Sequence, residues 1–252
     1  MFFTEKKSSG AAYNAVVSGQ RLYYRVTGQG SPLVLIHGYG TSGHIWQRVL
    51  PYLRQTNEVF MLDLPGYGQS AAPRSWQLRT VAPLIEEWLR TLQLPPVAVM
   101  GHSMGGAISI HLAAIAPMMV RRLVLVNAAG LPLQTSMPAL ALRAAYSAIQ
   151  PGNGRYPLMA VRDMLQPRFR VLWQTSQEML RSDLRAELAA ITTPTLIIWG
   201  ERDALLPITL GHALSKALPH ATFVTIAGSG HRPMLAQPEH FSRTVQEFLQ
   251  QE

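Results

Sequence analysis

Cysteine is absent from the 252 residues, which excludes a disulfide framework and a thiolate metal site. Lysine is nearly absent. Only Lys6, Lys7 and Lys216 stand beside the arginines in a basic total of 22, against 14 acids, for a formal net charge of +8. No run of five or more basic residues occurs, so the charge is dispersed and gives no footprint for nucleic acid. The stretch Arg168-Phe169-Arg170 near Trp173 is the strongest basic-aromatic cluster, and it reads as a solvated helix face. The start, MFFTEKKSSG, has no apolar core behind its charges, which argues against a secretory signal. With the missing cysteine, this makes a cytoplasmic location the expectation. Residues 97–116 carry no Asp, Glu, Lys or Arg, yet Ser103, two histidines and the pair Gly105-Gly106 interrupt them. A buried strand followed by a buried helix explains that run better than a membrane span, and no integral membrane segment is expected.

What is present has a rhythm. YNAVVS and RLYYRVTG flank Gly19-Gln20 and predict a hairpin. Apolar runs at 32–38, 58–62, 97–101, 121–127, 195–200 and 222–228 predict buried strands. Helical stretches near 46–55, 77–92, 104–116, 207–218 and from Pro238 onward separate them. Strands alternating with helices mean crossover connections and a mostly parallel sheet, an α/β fold with helices on both faces. The rhythm stops at 131–190, where Pro132, Pro138, Pro151, Pro157 and Pro167 cut a helical region into short pieces. The chain therefore divides into a core, 1–130 with 191–252, and a helical insertion over 131–190.

Two glycine motifs compete for the function. GYGTSG at 38–43 follows a strand, precedes a helix and matches the dinucleotide fingerprint, with Asp63 near the distance of a ribose contact. That keeps an NAD(P)-dependent oxidoreductase in view. GHSMGG at 101–106 fits G-x-S-x-G at a strand-to-helix seam. A strand that turns straight into a helix forces its corner residue into a strained backbone, and flanking glycines give it room. Ser103 then stands clear at the carboxyl end of the sheet, with the amide of Met104 aimed at it from the helix N-terminus. A serine hydroxyl needs a base, and the base an orienting acid, each expected after a later strand. After TLIIWG come Glu201 and Asp203, and after TFVTIAG comes His231. The spacing leaves both acids open.

With HGYG at 37–40, DLPGYGQS at 63–70, GHSMGG, GERDALLP and GSGHRPMLAQPEHF in this order, the chain resembles the α/β-hydrolase family of serine esterases and lipases. The resemblance covers nearly everything outside 131–190. It implies the α/β-hydrolase fold with a small cap, and a catalytic set of Ser103, Asp203 and His231, since the aspartate of G-E-x-D is the family's usual acid. It assigns the oxyanion amides to Tyr39 and Met104, with Gly40 as second choice for the former. His37, Gly38, Gly40 and His102 become residues that support these loops, and Asp63 one that braces its own turn. It implies no cofactor. The remaining histidines show no metal-ligand spacing, so no metal is expected either.

The elbow serine argues against epoxide hydrolases and dehalogenases of the family, which carry aspartate there. Carbon–carbon bond hydrolases, lactonases and perhydrolases remain as alternatives, as does a non-catalytic receptor with the same residues. The expected reaction is hydrolysis of short- to medium-chain acyl esters. Leu131, Met137, Tyr146 and Trp173 are candidates for the substrate pocket. The arginines of the insertion (143, 155, 162, 168, 170, 181 and 185) read as solvated faces or as a surface for an acidic acyl-carrier protein, whose methyl ester is the alternative substrate. A monomer or homodimer is expected.

Overall fold

The computed structural model describes residues 10–150, 152, 153, 158, 161, 163 and 169–251. Eight strands form one sheet: β1 (Ala11–Val17), β2 (Gln20–Thr27), β3 (Ser31–Ile36), β4 (Asn57–Asp63), β5 (Val97–His102), β6 (Val120–Val126), β7 (Thr195–Gly200) and β8 (Ala221–Ile226). Their order is β1-β2-β4-β3-β5-β6-β7-β8. The β1–β2 hairpin and the β2–β4 pairing are antiparallel, and every other neighbour is parallel. Leu33 to Ile36, Val59 to Asp63 and Thr195 to Gly200 are buried throughout. Continuous apolar runs of this kind mark strands covered on both faces, as a parallel sheet requires.

Two apolar layers do the covering. On one face α2 (Leu78–Leu92) and α3 (Met104–Ile115) pack with Trp88, Trp199 and Phe60. Helix α2 buries Val81, Ala82, Ile85, Trp88 and Leu89, a single stripe at helical spacing, whereas α3 is buried on nearly every side. On the other face Trp46, Leu53, Phe241 and Val245 close the second layer. The helix expected near 46–55 is instead a 3-10 turn, Gly43–Trp46, and one helical turn, α1 (Leu50–Leu53). Pro51 lies in that first turn, where a missing N–H costs nothing.

Between β6 and β7 the described part of 131–190 supplies α4 (Met137–Ile149), α5 (Phe169–Arg181) and α6 (Arg185–Ala190). Side chains of α5 complete the start of α2, where Gln77 makes no capping bond of its own. Glu178 Oε2 accepts from the Leu78 amide at 2.9 Å and Gln174 Oε1 from the Trp76 amide at 3.1 Å. A carboxylate at a helix N-terminus is favoured by the exposed amides and the helix dipole. This anchors α5 on the core. Arg155, Arg162 and Arg168 lie outside the described residues. Helices α7 (Ile208–Ala217), α8 (Pro233–Ala236) and α9 (Pro238–Leu249) finish the chain.

Candidate active site

Ser103 sits between β5 and α3 with φ 53° and ψ −118°, a conformation that a residue with a side chain adopts only under constraint. The constraint is packing. A Cβ on Gly101 would lie 2.3 Å from the Gly105 carbonyl oxygen, and one on Gly105 would lie 2.3 Å from that of Ile36. Only glycine lets the corner close this tightly. Met104 is the first residue of α3, so its amide has no acceptor within the helix.

The next groups arrive from later strand ends. Asp203 follows β7 and His231 follows β8, and His231 Nδ1 lies 2.8 Å from Asp203 Oδ2, with both side chains buried. The carboxylate accepts three further bonds: Asn127 Nδ2 at 2.6 Å, Leu205 N at 2.8 Å and Leu206 N at 2.9 Å. Such a carboxylate stays an acceptor, so the proton between the pair belongs to His231 Nδ1 and leaves Nε2 as the basic nitrogen. Glu201, the other acid the spacing left open, turns away and accepts from the Gly228 amide at 2.7 Å.

The loop after β3 packs on the serine, since a Cβ on Gly38 would come within 3.1 Å of the Ser103 Cβ. Two donors hold the Gly38 carbonyl: His37 Nδ1 at 2.8 Å and Thr41 Oγ1 at 2.9 Å. The Leu64 amide donates to His37 Nε2 at 3.0 Å, which fixes the His37 tautomer with its proton on Nδ1. Burial lowers the pKa of His37, partly offset by the charge of Asp63. His102 donates from Nε2 to the His231 carbonyl at 2.9 Å. Its pKa falls well below the ordinary histidine value because burial, with the neighbouring His231 and Arg232, disfavours the cation. Both supporting histidines are therefore neutral struts.

These geometries remove the footing of the dinucleotide reading. The GYGTSG loop wraps the serine and enters a 3-10 turn, not a long helix whose N-terminus cradles a pyrophosphate. Asp63 has its oxygens committed, Oδ1 to the Gly43 amide and Oδ2 to the Gln69 amide.

A cavity of about 390 Å³ opens on Ser103 and His231. Tyr39, Gly40, Thr41 and His102 form its floor, and α4 and α5 form its apolar wall. Of the residues expected in the pocket, Met137 lines this cavity and Leu131 lines a smaller one beside it. Tyr146 and Trp173 do not reach it, being 57% and 52% exposed. The reason is helical phase. Met137, Leu140, Ala141, Ala144, Ala145 and Ala148 recur at i, i+3, i+4, i+7, i+8 and i+11 on one side of α4, opposite Tyr146. Apolar content alone does not tell the two faces of α4 apart. Spacing of small residues was the available signal. Asn127, at φ 42°, was also missed as a participant: besides holding Asp203, its Oδ1 accepts from the Gly200 amide at 3.2 Å.

Residues 33–243 match the alpha/beta hydrolase family. The chain belongs to that family. It is similar to a pimeloyl-[acyl-carrier protein] methyl ester esterase of Photobacterium profundum, 30% identical over 255 residues, 90% of this chain and 98% of that protein. Among solved structures it resembles a membrane phospholipase A at 26% identity and TM-score 0.82, covering 96% of this chain and 86% of that one. It also shares the fold of an esterase from Exiguobacterium antarcticum at 22% identity and TM-score 0.86, covering 94% and 99%. The expected fold and family are borne out, and esterase relatives support the expectation of a carboxylic-ester hydrolase. Among the described residues no helix is long and apolar enough to cross a membrane.

Proposed function

We propose that this chain hydrolyses carboxylic esters through an acyl-enzyme, with Ser103 as nucleophile, His231 as base and Asp203 as its orienting acid. The observation that carries the reading is the strained elbow of Ser103 opening on the same cavity as a histidine held by a buried carboxylate. Ser103 Oγ attacks the ester carbonyl carbon and its proton passes to His231 Nε2. The oxyanion accepts from the amides of Tyr39 and Met104. When the intermediate collapses, the leaving alkoxide takes the proton back from His231. Water then gives a proton to the same nitrogen, attacks the acyl carbon, and releases the acid with a regenerated serine. Asp203 stabilises the imidazolium at each step, while His37 and His102 keep the loops in register.

In this reading residues 131–190 act as the cap, and the apolar wall of α4 and α5 takes a short- to medium-chain acyl group. Ser103→Ala should abolish turnover of p-nitrophenyl esters, a loss on the order of 10⁴-fold or more, with the thermal transition retained. A variant keeping a tenth of the activity overturns the assignment.

A second substrate reading has specific support. The relative from Photobacterium profundum is named for a pimeloyl-[acyl-carrier protein] methyl ester. An acidic carrier would meet the arginines of the cap. Arg170 donates to the Pro73 carbonyl at 2.7 Å and Arg185 pairs with Asp183, so the role falls to Arg143 and Arg181 among the described ones. Salt separates the two readings: 0.5 M NaCl should spare a small neutral ester and strongly weaken turnover of a carrier-borne one. A cytoplasmic location suits either substrate.

A further inference from the structure

The wall that Leu140 and Met179 give the catalytic cavity has a far side. Behind it lies a second cavity of only about 10 Å³, lined entirely by apolar residues that include Leu131, Leu206, Leu210 and Leu214. The side chains that line a space of this size offer a water no hydrogen-bond partner, so it suits an apolar chain better than a water. Leu140 of α4 and Met179 of α5 are the two residues that line both cavities. Ala129, on the wall of the small one, donates its amide to the Ser103 carbonyl at 3.0 Å, so that space begins close behind the elbow.

We propose that Leu140 and Met179 form a gate that sets the acyl-chain length this enzyme accepts, and that the small cavity is the closed continuation of its acyl channel. The proposal rests on the ester-hydrolase reading above and adds its specificity device. Three features support the placement. Both gate residues belong to the inserted helices and not to the sheet, so their position can change without disturbing the serine or its base. Methionine is unbranched and adapts its shape, filling an irregular gap that a longer chain would otherwise enter. Beyond the gate the lining side chains are all alanine and leucine, a surface matched to methylene groups.

Removing the side chain of Met179 beyond Cβ deletes three heavy atoms, room for about three methylenes. Each buried methylene is worth roughly a fourfold gain in binding. The experiment compares wild type, Met179→Ala and Leu140→Ala on p-nitrophenyl esters from acetate to dodecanoate. The expected result is a dodecanoate-to-acetate ratio of kcat/KM raised about tenfold or more, with the preferred chain two to four carbons longer. A refilling variant, Met179→Ala with Leu210→Phe, should return the ratio toward wild type. Binding of C4 to C12 fatty acids to the same variants in a Ser103→Ala background, read by calorimetry, reports the length limit without turnover. A length limit that moves in binding supports the gate even if the esters prove to be the wrong substrates. Ratios and binding limits that stay within a factor of two of wild type in both folded variants overturn it.

Discussion

The strand-end loops and the inserted helices face each other across one cavity and are built by opposite rules. On the sheet side the working groups are held by directional bonds: Asp203 accepts four, the Gly38 carbonyl two, and His102 supports the backbone of His231. On the helix side the wall of α4 and α5 is mostly alanine, leucine and methionine, which fill space without such bonds. A network of buried hydrogen bonds tolerates substitution poorly because an orphaned partner keeps its full desolvation cost. An apolar wall tolerates many changes, provided volume is conserved. In the proposed reading, chemistry is fixed where bonding is directional, and substrate choice sits where it is not.

The contrast can be broken most severely at the acid. Asp203→Asn should cost about 10³–10⁴-fold in kcat, because the amide favours the wrong tautomer of His231 and cannot stabilise its cation. Glu201→Gln should cost little, and a reversed ranking would place the acid two residues earlier. Asn127→Ala removes one charge-assisted bond from the same carboxylate and should lower kcat by about 10- to 100-fold with KM little changed. Measuring kcat and KM separately checks both.

A smaller effect distinguishes the two sides by pH. The buried His37 and His102 have lowered pKa values in the folded protein, whereas an unfolded imidazole titrates near ~6.5. Below that value the unfolded chain binds protons that the folded one refuses. Stability is therefore complete above about pH 6.5 and falls as pH drops below it, by up to about 1.4 kcal/mol per pH unit for each histidine. Urea midpoints between pH 7.5 and 5.5 should show the decline, and His102→Gln should flatten it. An unchanged slope in that variant would mean that His102 takes no part in the pH response. The smallest effects belong to the outer helix faces: Tyr146→Ala and Trp173→Ala should leave the ester-length profile within a factor of two of wild type. A profile altered tenfold by either would show that these faces fold over the cavity in solution.

The sequence was legible in the same unequal way. The order GHSMGG, GERDALLP, GSGHRP offers a corner, two acids and a base because each follows a strand, and the parallel sheet brings strand ends together; the resemblance chose between the acids. Asn127 escaped because an asparagine cannot be the acid, and its two bonds run to residues 73 and 76 positions away, beyond any local pattern. The wall of α4 escaped because apolar content does not say which face turns inward: Ala141, Ala144, Ala145 and Ala148 line the cavity and Tyr146 lies opposite them. The supposed helix at 46–55 failed for a local reason. Pro51 sits where it can begin a turn but cannot continue a helix.

In the proposed reaction Ser103 carries the acyl group, and that intermediate can be trapped. The protein is mixed with a p-nitrophenyl ester, quenched in acid within milliseconds, digested and analysed by mass spectrometry. An acyl mass is expected on the peptide containing Ser103 in wild type, and none in Ser103→Ala. Ester turnover with the label on another residue, or undiminished turnover in Ser103→Ala, would contradict the proposed reaction.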